Sequence, residues 1–243
     1  MMPLLISFLA GLSIVIGALI IHLVSSPARI HHLSIALALG ALLALLLFDL
    51  LPELRESAAN IGIVLVLLLV LLGVGILKLL DLFIPDHDDT AATHDHENAV
   101  HIGIISSLAL ILHNLVEGMT VYSLSLTSLR EGVIFAFGIA LHNIPMGMLI
   151  YATMQERRRI IRRGVLAAVT LSTCLGGVLM ALVSEALTAS RIGALVCIAA
   201  GMIIYIVFAE LLPHVLRTRP RRLSLLGSVC GFVLVLASCI LGG

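Results

Sequence analysis

Residues 111–119 read ILHNLVEGM, and residues 140–148 repeat most of that stretch as ALHNIPMGM. Each copy sets a histidine and an asparagine inside a long apolar run, where polar side chains are costly unless they find partners. On a helix, His113 and Glu117 stand at i and i+4 and share one face, while Asn114 points about 100 degrees away. His142 and Met146 repeat that relation, with Asn143 as the neighbour. At about 1.5 Å of rise per residue, His113 lies roughly 18 to 20 Å into its run, near the middle of a bilayer, and His142 has a similar depth.

Outward from these motifs the chain stays apolar. Of its 243 residues 60% are hydrophobic and 12% charged, and the mean hydropathy is +1.20. That is too little polar surface for a water-soluble globule and implies an integral membrane protein. Crossing about 30 Å of hydrocarbon takes about 20 apolar residues. Eight stretches qualify: 2–24, 31–54, 60–80, 100–125, 131–154, 164–187, 192–215 and 223–240. The first is too long for a signal-peptide core and lacks a basic flank, so it reads as a retained span. The expectation is an all-α polytopic membrane protein, with residues 1–243 forming one transmembrane domain and a flexible loop at about 81–100.

Charge and cysteine usage exclude several classes. Formal net charge is zero, so nothing draws the chain to nucleic acid. Cys174, Cys197, Cys230 and Cys239 fall in apolar segments without CxxC spacing, which supports neither a disulfide framework nor a zinc knuckle. There is no GxxxxGK[ST] loop, so ATP-driven pumping is not expected. The positive charges are lopsided. Eleven of the 14 Lys and Arg, among them Arg157, Arg158, Arg159, Arg162 and Arg163, follow odd-numbered spans, leaving Arg55, Arg130 and Arg191 on the other side. By the positive-inside rule both termini face outward from the plasma (cell inner) membrane, with the histidine-bearing loop cytoplasmic.

A second repeat frames the first. DLLPE at 49–53 ends span two, ELLPH at 210–214 ends span seven, and these spans run in opposite directions. Similar segments in inverted orientation mark many transporter folds, whose ion site lies near the midplane. The inferred arrangement is eight helices as 3+2+3, with spans four and five as the central pair. Two adjacent antiparallel helices then bring His113, Glu117 and His142 towards one point. A buried carboxylate at that depth costs roughly 2.5 to 3.5 kcal/mol on insertion scales and needs a partner or a wet cavity. Imidazole with one carboxylate suits Zn²⁺ and Fe, Ni or Cu ions, whereas Mg²⁺ and Ca²⁺ prefer all-oxygen shells. The plainer reading is that the His and Asn pairs are interhelical hydrogen-bonding glue. Pro145 removes a backbone donor and disturbs the Leu141 carbonyl beside His142.

These residues together resemble the Zrt/Irt-like protein (ZIP) family of divalent metal transporters. The resemblance rests on HNxxEG in span four, HNIPxG in span five, AGLSIVIGAL in span one and FAELLP in span seven. It implies a two-metal centre on the central helices, Zn²⁺ or a similar transition metal (Fe²⁺, Mn²⁺, Cd²⁺) as cargo, and transport towards the cytoplasm. It also implies His113, Glu117 and His142 in one metal position and Asn114 and Asn143 near a second. The chain departs from the family pattern twice. Met146 stands where HNxPEG has its bridging glutamate, and TCLG at 173–176 stands where span six often reads EPLG. With Glu117 the only carboxylate at the centre, two dications would be poorly balanced in a low-dielectric site. The expectation is therefore a single metal, with the Met146 thioether either a soft fourth ligand tilting preference towards ions such as Cu(I) or a gap-filler.

Around the centre, His87, His94, His96 and His101 punctuate an acidic stretch that reads as a weak metal-binding loop or a plain solvated one. Asp49, Glu53, Glu210 and His214 lie near span ends, as pathway or relay groups or as snorkelling surface residues. Gly227 and Gly231 permit close packing, as at a homodimer contact. No organic cofactor is implied; the partners are metal ions and the lipid bilayer. The alternative is a non-transporting metal sensor of the same fold. An intramembrane metalloenzyme is a distant third, because such proteases use HExxH and here an asparagine follows each histidine.

Overall fold

In hydrocarbon, a Leu-, Ile- and Ala-rich chain satisfies its backbone groups within the segment only as α-helix. The computed structural model describes residues 1–23, 27–83, 94–155, 157–183, 188–218 and 221–242, and among them there is no strand. Among these residues eight helical spans are long and apolar enough to cross a membrane. In order the elements are α1 (Met2–Leu23), α2 (Pro27–Leu45) continuing through a π-helical turn (Leu46–Leu50) into α3 (Leu51–Ile61), α4 (Ile63–Phe83), α5 (His94–Thr127) and α6 (Leu129–Thr153). There follow α7 (Arg159–Val183), α8 (Ala189–Tyr205) continuing through a π-helical turn (Ile206–Leu211) into α9 (Leu212–Arg217), and α10 (Arg221–Gly242).

Span two runs on to Ile61, further than the proline at 52 suggests, and the π-turn is the physical reason. A proline lacks the N–H for its i−4 partner, and its ring crowds that carbonyl. Widening the turn just before Pro52, and again before Pro213, lets the helix pass without breaking. Asp49 sits in the first π-turn and Glu210 in the second. Span two then ends at Gly62, whose φ of 87° is left-handed backbone that glycine adopts without strain.

The helices lock on reciprocal glycines. A methyl at Gly17 would strike the Ile144 backbone, and one at Gly147 the Ile14 backbone, which joins α1 to α6. Gly118 meets Thr173 and Gly176 meets Leu115, joining α5 to α7. Gly40 with Gly231 joins α2 to α10, and Gly73 with Gly201 joins α4 to α8. Small residues let backbones approach this closely where lipid offers no hydrophobic drive between helices. Exchanging spans one to three for six to eight, and four for five, turns the α1–α6 pair into α7–α5 and the α2–α10 pair into α8–α4. Since successive spans alternate in direction, this pairing is the inverted 3+2+3 relation that DLLPE and ELLPH announce. It also corrects one reading: Gly227 and Gly231 face Leu33, Ala36 and Leu37 of α2 in the same chain, not a second copy.

Candidate metal centre

A single residue, Ser128, separates α5 from α6, so the two helices must run antiparallel side by side. Its hydroxyl accepts from the Glu131 backbone N–H at 3.4 Å, capping α6. Along this hairpin, Glu117 Oε1 lies 3.2 Å from His113 Nε2 and 2.8 Å from His142 Nε2. The two imidazole centroids are 6.1 Å apart, and all three side chains are buried. Donor atoms around a tetrahedral zinc with bonds of about 2.0–2.2 Å stand about 3.4 Å apart, so a dication enters by opening the shorter gap about half an ångström and the longer one by less. Metal binding at Nε2 needs that nitrogen's lone pair, so no proton stays on it in the bound state. Glu117 Oε2 is buried and takes no hydrogen bond.

The asparagines turn away from this point, as their 100-degree offset requires. Asn114 Nδ2 donates to the Val169 carbonyl at 3.3 Å, and Asn143 Nδ2 to the Ala10 carbonyl at 3.4 Å. Asn114 lies four residues before Gly118 and Asn143 four before Gly147; Ala10 lies seven before Gly17 and Val169 seven before Gly176. One clamp is therefore built twice, once in each half. The Oδ1 atoms of both asparagines and the hydroxyls of Thr170 and Thr173 are buried without hydrogen bonds, a set of neutral oxygens only. Met146 is buried among core residues such as Leu149 and Ile150, and it lines neither cavity at the centre.

Those cavities change the electrostatics. One, of about 200 Å³, is lined by Asp49, Glu117, His142, Ser238 and Cys239 among others. A smaller one, of about 10 Å³, touches Asp49, Glu53, His113 and Glu117. Asp49 and Glu53 are half-buried beside the centre and not snorkelling at a span end, because span two continues well past them. The charge count that left Glu117 as the only central carboxylate is corrected accordingly: two more acids share its cavities.

A second cluster forms at the end that carries the basic loop. Asp81 Oδ1 lies 2.5 Å from His101 Nε2, and the Tyr205 hydroxyl donates to Asp81 Oδ2 at 2.7 Å. Glu210 completes a group whose donor atoms all lie within 4.8 Å of one another. His101, read from sequence as part of a loop, is helical in α5. His214 stands elsewhere, its ring 6.4 Å from His31 and 6.0 Å from His32. His87 lies outside the described residues, as do the side chains of His94 and His96, whose backbone belongs to α5. Sequence reading missed Asp81, His31, His32 and Cys239. The adjacent histidines 31–32 and an acid closing an apolar run were the only signals available.

The profile of the family described as ZIP Zinc transporter matches residues 84–238, from just after α4 into the last turns of α10. A search of curated proteins finds no match.

Proposed function

Because the chain belongs to the ZIP zinc transporter family, we propose that it moves a divalent transition metal ion, Zn²⁺ foremost, across the membrane through the site of His113, Glu117 and His142. The observation that carries this reading is the buried triad itself: two imidazoles and a carboxylate from antiparallel neighbours, 3.2 and 2.8 Å apart. Two nitrogens and one oxygen form a borderline donor set that favours Zn²⁺ over Mg²⁺ or Ca²⁺. One dication at the triad leaves a net single positive charge, which Asp49 and Glu53 beside it offset. The ion approaches past these acids, sheds water onto the imidazoles, and leaves past Asp81, His101 and Glu210. Direction follows the arginine-rich side, which the positive-inside rule makes cytoplasmic in the plasma membrane, with both termini outside. Met146 serves as a soft fourth ligand after a rotamer change, a movement that methionine's flexible chain permits.

A non-transporting sensor of the same fold is the second reading, favoured by Met146 and Thr173 standing where the family pattern carries carboxylates. Zn²⁺ flux into proteoliposomes of the purified chain separates the two. Saturable flux that Glu117→Ala removes supports transport, and metal binding without flux supports the sensor.

A further inference from the structure

The two halves of the fold carry matching positions at matching distances from their locking glycines. Asp49 lies nine residues after Gly40, and Glu210 nine after Gly201; Asp81 lies eight after Gly73, and Cys239 eight after Gly231. At the basic end, the second π-turn and α4 bring Glu210 and Asp81 into one cluster. The corresponding pair in the other half is Asp49, from the first π-turn, and Cys239, from α10. These two line the same cavity of about 200 Å³, which also reaches Glu117 and His142. Corresponding positions thus carry two carboxylates in one half and a carboxylate and a thiol in the other.

We propose that Cys239 and Asp49 form a second metal-binding position on the outer approach to the centre, suited to soft and borderline dications such as Cd²⁺ and Zn²⁺. Cys239 is a free thiol, only half-buried, and lines the cavity. Glu117, 6% exposed, lines the same cavity with an oxygen that takes no hydrogen bond, a donor aimed into the space. The volume has room for several waters, so an ion held by one sulfur and one carboxylate oxygen keeps part of its hydration shell. Binding replaces the S–H bond with a metal–sulfur bond and releases the proton to water, because the thiolate is the ligand. A thiolate favours Cd²⁺ over Mg²⁺, which demands oxygen ligands. The position adds to the transport reading without depending on where the ion sits at the centre.

The test follows alkylation of Cys239 by iodoacetamide in the purified full-length protein, read by peptide mass spectrometry, with Cd²⁺ or Mg²⁺ added. Cd²⁺ at micromolar concentration should slow alkylation at least tenfold while Mg²⁺ leaves it unchanged. Asp49→Asn, checked for folding by an unaltered gel-filtration profile, should raise the Cd²⁺ needed at least tenfold. Alkylation reads Cys239 directly and needs no Zn²⁺ flux, so the two proposals fail separately. Protection unaffected by Asp49→Asn, or no alkylation of the metal-free thiol, would overturn the assignment.

Discussion

One oxygen of Glu117 lies against both imidazoles of the centre, so its removal dissolves the triad as well as taking away a ligand. Loss of a mere outer-shell partner costs about 10–100-fold in metal affinity, and Glu117→Ala should lower Zn²⁺ uptake in vesicles by at least about 100-fold at unchanged expression. Met146→Glu restores the acid of the HNxPEG pattern. Metal analysis of the purified protein should then show more bound Zn²⁺ per chain than in the natural form; an unchanged content would remove position 146 from the site. The i, i+4 spacing of His113 and Glu117 was legible from the chain, because helical periodicity and a short hairpin between two runs leave little freedom. Asp49 was not legible. Its distance from Glu117 depends on how far span two continues, which only the π-turn decides.

Each pair of locked helices depends on a glycine that meets a carbonyl. Gly147→Ala places a methyl against the Ile14 backbone. Overpacking of this kind costs about 1–3 kcal/mol and should lower the melting temperature of the detergent-purified protein by about 3–10 °C. Gly75 has nothing near its missing methyl, so Gly75→Ala should be neutral or stabilise by about 0.5–1 kcal/mol through helix propensity. Equal melting of the two variants would contradict the interlocking. The glycines were visible in the sequence, yet which helix each would meet was not, and Gly227 and Gly231 illustrate the difficulty. Their spacing is the same for a partner within the chain as for a second copy, and the α2 contact resolves it only in three dimensions.

Across the whole molecule, the buried triad and the Asp81–His101–Glu210 cluster stand as successive polar stations in an apolar bundle. If ions leave past the second, Glu210→Gln should slow Zn²⁺ accumulation in vesicles several-fold while the metal content of the purified protein stays the same. A fall in both would instead tie Glu210 to the central site. What the amino-acid order determined by itself was local and periodic: eight helices from apolar length, the place of the HN motifs along two of them, and the inverted kinship of DLLPE and ELLPH. The tertiary structure alone decided which acids reach the centre, that both asparagines clamp neighbouring backbones, and that Cys239 opens onto the cavity of Asp49. The reason is physical. Helical geometry acts over four residues and can be read along the chain, whereas contacts between spans depend on backbones touching at glycines far apart in sequence.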